Sequence, residues 1–91
     1  SQVPGAFSLK QNYPNPFNSS TKIAYSLSKN SFVKLTVFDI SGKMVKILVN
    51  EIKNTGEHNV IFNAEDLTSG IYFYCVKSGN KTVTRKALLL K

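Results

Sequence analysis

Residues Gln11-Asn12-Tyr13-Pro14-Asn15-Pro16-Phe17-Asn18 constrain the fold more than any other stretch of the chain. Two prolines two residues apart remove two backbone donors and clash with a continuing helix, so this segment is neither regular helix nor interior strand. Each ring also fixes its own φ and drives the preceding residue, Tyr13 or Asn15, toward extended geometry. Much of the segment's freedom is therefore gone before folding begins. Asn12, Asn15 and Asn18 carry short amides suited to bonding nearby backbone groups. With the rings of Tyr13 and Phe17 bracketing the stiff backbone, the pattern predicts a shaped loop that plugs one end of a core.

Past the loop, apolar residues recur at spacing two. Ile23, Tyr25 and Leu27 share one face and Lys22, Ala24 and Ser26 the other, as a half-buried strand requires. Val33, Leu35 and Val37 repeat the alternation after Ser28-Lys29-Asn30-Ser31, so the two runs read as an antiparallel hairpin. Asp39-Ile40-Ser41-Gly42-Lys43 predicts a tight reversal, because the Asp can bond its own turn and the Gly can take positive φ. Residues 43–49 follow as a strand with Val45, Ile47 and Val49 on one face and Met44, Lys46 and Leu48 on the other. A helix over 43–52 is the competing reading, and three β-branched residues at spacing two favour the strand.

After the turn Lys53-Asn54-Thr55-Gly56, His58, Val60 and Phe62 alternate with Asn59 and Ile61. Asn63-Ala64-Glu65-Asp66-Leu67 is too short and polar for more than one helical turn, closed by Thr68-Ser69-Gly70. Residues 71–77 make the most aromatic strand, with Tyr72, Tyr74 and Val76 inward, and Gly79-Asn80 reverses it. Residues 81–90 end wholly apolar in Ala87-Leu88-Leu89-Leu90, which predicts a strand covered on both faces with its last residues buried. Phe7-Ser8-Leu9 reads as a short edge strand before the loop. The expected inward set is Ile23, Tyr25, Leu27, Val33, Leu35, Val37, Val45, Ile47, Val60, Phe62, Leu67, Tyr72, Tyr74 and Val76. About seven strands, with turn signals roughly every 8 to 12 residues and no convincing helix, predict an all-β, two-layer antiparallel sandwich. Its core leaves no volume for a large functional cavity.

Ninety-one residues suffice for one small domain and not two. No run approaches the roughly 18 apolar residues of a membrane span, and residues 1–6 lack a charged-then-apolar leader. Twelve Lys and Arg against five Asp and Glu give a formal charge of +7, yet the basic residues are scattered singly, with Arg85-Lys86 the one adjacent pair. Nucleic acid is therefore not an expected partner, since clustering is its usual electrostatic footprint.

The chemistry-bearing residues are few. His58 is the one histidine and Cys75 the one cysteine, so the chain can assemble neither an internal disulfide nor a tetrahedral His/Cys zinc site. Both read most simply as strand residues. Glu65-Asp66, the one acidic pair, falls short of the six to eight oxygens that calcium takes. The glycines show no phosphate-cradling spacing, and the sequons at Asn18 and Asn80 are too common a pattern to weigh. No cofactor, metal, small-molecule substrate or catalytic residue is expected.

Taken in succession, Phe7-x-Leu9-x-Gln11-Asn12-Tyr13-Pro14-Asn15-Pro16-Phe17-Asn18, Thr21-x-Ile23-x-Tyr25-x-Leu27, Val37-Phe38-Asp39-Ile40-Ser41-Gly42-Lys43-x-Val45, Leu67-x-Ser69-Gly70-Ile71-Tyr72-Phe73-Tyr74 and Lys86-Ala87-Leu88-Leu89-Leu90-Lys91 resemble the C-terminal sorting domain of type IX secretion cargo. The loop is the most specific part. Ser19 stands where the family's loop usually has another proline, and Cys75 where a long polar residue is common. The resemblance implies an immunoglobulin-like sandwich over residues 7–91, joined through a linker remnant at 1–6 to a covalent N-terminal cargo. It implies carriage through the periplasm, recognition by outer-membrane type IX components, processing by a sortase-like protease, and release or attachment at the cell surface. The recognition signal would lie in residues 77–91, with Lys77, Gly79, Arg85, Lys86, Leu88, Leu89, Leu90 and Lys91 as its candidate residues. Asn12, Tyr13, Pro14, Asn15, Pro16, Phe17, Asp39, Gly42, Gly70 and Tyr72 would be the structural motif. A structural or carbohydrate-adhesive module is the alternative, with Phe32, Phe38 and Phe73 as its candidate exposed aromatics.

Overall fold

The computed structural model describes residues 7–91; the linker expected at 1–6 lies outside the described residues. Seven strands follow one another: β1 (Ser8–Leu9), β2 (Ser20–Leu27), β3 (Ser31–Phe38), β4 (Met44–Lys53), β5 (Gly56–Asn63), β6 (Gly70–Ser78) and β7 (Lys81–Leu89). They form two antiparallel sheets, β1-β2-β5 and β4-β3-β6-β7, and no helix occurs among the described residues. This is the expected immunoglobulin-like sandwich, with the fourth strand in the sheet of β3 and β6. Residues 43–52, where a helix was the competing reading, are almost wholly β4.

β2 and β3 are not a hairpin. They belong to different sheets, and their apolar faces meet across the core: Ile23, Tyr25 and Leu27 on one side, Val33, Leu35 and Val37 on the other, all buried. Alternation tells which face of a strand is dry, and a strand stacked opposite satisfies that as well as one paired beside it. The crossing segment is held by Thr55, whose Oγ1 donates to Leu27 O (3.1 Å) and whose N–H donates to Asn30 Oδ1 (2.7 Å).

β4 departs from strict alternation. Leu35 stands opposite Val49 but Thr36 opposite Ile47, so Leu48 is an extra residue, and a second shift follows between Val37 and Phe38. Such bulges re-aim the side chains beyond them. Val49 is therefore core, Val45 and Leu48 pack partly against it, and Ile47, expected inward, is 48% exposed. Val60 and Leu67 are likewise partly buried at the core margin. The core also takes in Leu9, Phe17, Ala64, Ala87 and Leu89. Leu90 is a further correction: β7 ends at Leu89, and the Leu90 side chain is half exposed, not buried.

At the start of β6, the Tyr72 hydroxyl donates to Thr68 O (2.7 Å), four residues upstream. This is the tyrosine corner of sandwich domains, and it fixes the crossing from β5 into β6.

Candidate recognition strand and its clasp

β7 lies at the edge of the four-stranded sheet, paired on one side with β6. The tight reversal between them is made possible by Gly79, whose φ of 62° suits glycine best. The other side of β7 faces the proline loop. That loop leaves β1, and Tyr13 still exchanges two 3.0 Å backbone bonds with Lys22 of β2. It then crosses to the opposite sheet through Tyr13-Pro14 and Asn15-Pro16, both cis. There the Phe17 N–H donates to Leu88 O (2.9 Å) and the Leu90 N–H donates to Phe17 O (2.8 Å), a one-residue parallel bridge. Asn15 Oδ1 accepts the Leu88 N–H (3.0 Å), and Gln11 Nε2 donates to Lys86 O (2.7 Å). The loop is thus a clasp that spans both sheets and covers the outer rim of the last strand.

Its interior is polar and fully satisfied. Asn12 is buried; its Nδ2 donates to Pro14 O (2.9 Å) and Thr21 Oγ1 (3.1 Å), and Thr21 Oγ1 in turn donates to Pro14 O (2.8 Å). Tyr74 reaches up from β6, donating its hydroxyl hydrogen to Lys10 O (2.8 Å) and accepting the Asn12 N–H (2.7 Å). Burial raises the Tyr74 phenol pKa above its ordinary 10.0, against smaller opposing effects of the Asn12 N–H and the Arg85 charge. Phe17 drops into the core with its ring tilted on Phe62 at 5.5 Å, whereas Tyr13 stays 79% exposed. Of the two bracketing rings only one is the plug. Ser19, just beyond, adopts φ of 73°, which a proline ring does not permit, so the departure from the family pattern there goes with a distinct backbone.

The clasp brings together Asn15, Phe17, Lys86, Leu88 and Leu90. Leu89 points the other way into the core, and Arg85 Nε donates to Leu9 O (2.5 Å). Lys91 caps the end of the preceding connection, its N–H on Ser69 Oγ (2.9 Å) and its Nζ on Glu65 O (2.5 Å). Lys77 and Gly79 are not part of this constellation; they lie at the far end of the β6–β7 hairpin. Asp39 and Gly42 build the β3–β4 turn instead. Asp39 Oδ1 accepts from the Ser41 N–H (2.9 Å), the Ser41 hydroxyl (2.6 Å) and the Lys43 N–H (3.0 Å), while Gly42 takes φ of 89°. Those bonds, the Ser41 hydroxyl first, hold the Asp39 carboxyl below its usual 3.8.

Sequence reasoning assigned Tyr74 to the core and missed its role as the tie. The available signal was chemical: a buried phenol needs a partner, and only an irregular segment has spare backbone groups to offer. The histidine and the cysteine lie in different sheets. His58 stacks on Tyr25 at 5.4 Å and bonds Asn54 O (2.7 Å), whereas Cys75 lies opposite Thr36 in the other sheet. Asp66 pairs with Lys46 at 3.2 Å, and among the described residues no three His, Cys, Asp or Glu side chains are grouped to hold a metal.

The sequence profile of a family described as the secretion system C-terminal sorting domain matches residues 11–90. Comparison with curated proteins yields no match. Among solved structures, the chain is similar to part of PorZ of Porphyromonas gingivalis, described as an essential bacterial surface component of the type-IX secretion system. The TM-score is 0.65 at 20% identity, over 94% of this chain and 12% of that one. That likeness concerns the sandwich fold, and this chain spans about an eighth of the PorZ chain. With the family profile running from the proline loop to the end of β7, the chain belongs to the secretion system C-terminal sorting domains, the sorting signals of type IX secretion cargo.

Proposed function

We propose that residues 7–91 act as a non-catalytic address behind a covalently attached N-terminal cargo, and that outer-membrane type IX components read the β6–β7 hairpin. The residues assigned to that reading are Lys77, Gly79, Arg85, Lys86, Leu88, Leu89, Leu90 and Lys91. One observation carries it. The end of β7 is an edge strand already held extended by the clasp, through Leu88 on Asn15 and Leu90 on Phe17, with the Leu90 side chain facing out. A segment ordered before it is met loses little further conformational entropy on binding. Leu89 contributes indirectly, by anchoring that strand in the core. After transfer, a sortase-like protease processes the cargo, which is released or attached at the surface.

A periplasmic reporter joined ahead of residues 1–91 tests this. It is expected outside a type IX-competent cell and in the periplasm of a strain lacking the system, with a size change on gels if processing occurs. Lys86→Ser with Leu90→Ser keeps the clasp's backbone bonds and is expected to reduce export. Equal export from the strain without the system would end the reading.

A further inference from the structure

The outward face of the four-stranded sheet is unlike that of a solvated sandwich. Cross-strand register lines up Met44, Phe38, Phe73 and Lys86 in one row, and Ile47, Thr36, Cys75 and Thr84 in the next. A third row holds Asn50, Lys34, Lys77 and Thr82. Beyond it Phe32 and Ile52 form an exposed pair, 53% and 72% accessible. The face therefore carries apolar side chains toward both ends, with the polar row of Lys34 and Lys77 between them. None of the chain's acids stands on it: Glu51 lies opposite Val33 on the inward side, Glu57 belongs to β5, and Asp39, Glu65 and Asp66 lie in connections. The outward face of the three-stranded sheet pairs Ser20 with Asn63, Lys22 with the exposed Ile61, Ala24 with Asn59 and Ser26 with Glu57, so it carries an acid and a single exposed large apolar side chain where the four-stranded face carries several.

The third row is informative. Lys34 and Lys77 are directly opposite each other on adjacent strands, and neither has an ion pair among the described residues. Like charges so placed oppose folding. The arrangement makes sense if an anionic group settles between them. At the other corner Asn15, Pro16, Ile71, Lys86 and Leu88 line a shallow depression of about 270 Å³, so the face runs continuously into the clasp and the last strand.

We propose that this face docks a protein surface that sets a carboxylate between Lys34 and Lys77 and apolar side chains on either side of it, on the type IX machinery that receives the domain. The identity of the partner rests on the sorting function; the chemistry of the contact rests on the face. A second copy of this chain is disfavoured twice over. It would set lysines against lysines, and four strands about 4.8 Å apart and some eight residues long span roughly 15 by 25 Å. That is well short of the roughly 800 Å² per partner of a stable interface, and suits a contact made and released in transit.

The test uses the whole chain and outer-membrane type IX complexes purified from a competent bacterium. Lys34→Glu creates an attractive pair with Lys77, so the thermal midpoint is expected to rise while affinity for the complex falls about tenfold. Ile47→Asn is expected to cost a similar factor, and Lys22→Glu on the opposite face nothing. Higher salt weakens the wild-type contact. Wild-type chain that does not bind the complex overturns the docking proposal, as does binding unchanged by Lys34→Glu and Ile47→Asn. Tighter binding to anionic phospholipid vesicles, or dimers in sedimentation, also overturns it. The sorting function is judged separately by reporter export, which stands or falls whatever the binding result.

Discussion

The two edges of the four-stranded sheet solve the same problem in different ways. A strand at the edge of a sheet exposes unpaired backbone groups, which invite adventitious pairing. β4, at one edge, is long, and it is disrupted twice by register shifts and carries Lys46, Asn50, Glu51 and Lys53. β7, at the other, has no register shift along its nine residues and is covered near its end by Gln11, Asn15 and Phe17. The first edge is made unattractive, whereas the second is kept straight and held. On the proposed function, that is the difference between a strand that must only avoid company and one that has a partner to meet. β4 hangs on its ladder to β3 and on the Asp39 turn; β7 hangs on its ladder to β6 and on a loop that belongs to the opposite sheet.

The largest break in this contrast is expected from Phe17→Ala. Phe17 is fully buried against Phe62 and carries both backbone bonds of the bridge to β7. Truncating such a ring costs about 3–5 kcal/mol, measurable by denaturant unfolding. Hydrogen exchange should show the Leu88 and Leu90 amides losing protection beyond the global drop, with β4 amides following the global drop alone. Equal excess loss in β4 would mean the two edges are not held independently.

Tyr74→Phe comes next. It leaves the ring in place but orphans Lys10 O and the Asn12 N–H, a loss of about 1–3 kcal/mol. It also alters the alkaline limb of the stability curve. Because the folded-state pKa lies above the unfolded 10.0, this group's contribution is complete below pH 10 and vanishes as the pH rises through the raised value. The variant should therefore lose less stability between pH 9 and pH 11 than the wild type. A residual slope is expected from Tyr25, which burial also raises.

Much of this was legible in the sequence because strand periodicity is a local property. β2, β3, β5 and β6 follow directly from alternation, the Asp39-to-Gly42 reversal from turn chemistry, and the loop from proline spacing. What stayed hidden is non-local or depends on a single inserted residue. Nothing in Val45-Lys46-Ile47-Leu48-Val49 announces that Leu48 is extra, so Ile47 was placed on the wrong face. Nothing in two successive alternating runs tells stacking from pairing, hence the hairpin expected of β2 and β3. The clasp was seen as a plug without its partners, since Tyr74 lies 62 residues from Asn12 and Leu88 lies 73 from Asn15. The choice of Phe17 over Tyr13 has a simple cause: a phenyl ring can be buried without a hydrogen-bond partner, and a phenol cannot.

Asn15→Ala sharpens the comparison at lower cost. It removes the amide that accepts the Leu88 N–H but keeps the Phe17 bridge, so a loss of about 0.5–1.5 kcal/mol is expected. The Leu88 amide should exchange faster while Leu90, still bound to Phe17 O, should not. If both accelerate together, the clasp opens as one body and Asn15 is its latch.

The smallest effect belongs to the open edge. Asp39 is partly buried, and its hydrogen bonds from Ser41 and Lys43 hold its folded-state pKa below the unfolded 3.8. Its contribution is therefore complete above that value and is lost as the pH falls through the lower folded one. Asp39→Asn keeps an acceptor in the turn and removes the titration. The wild type should lose more thermal stability than the variant on going from pH 5 to pH 2, with the added exchange confined to the start of β4. Asp66 on Lys46 and Glu51 on Lys53 titrate in the same direction and remain in both proteins, so the difference between the two curves isolates Asp39. Should the added exchange appear at Leu88 or Leu90 instead, the β3–β4 turn would be supporting the clasped edge, and the two edges would share one anchor.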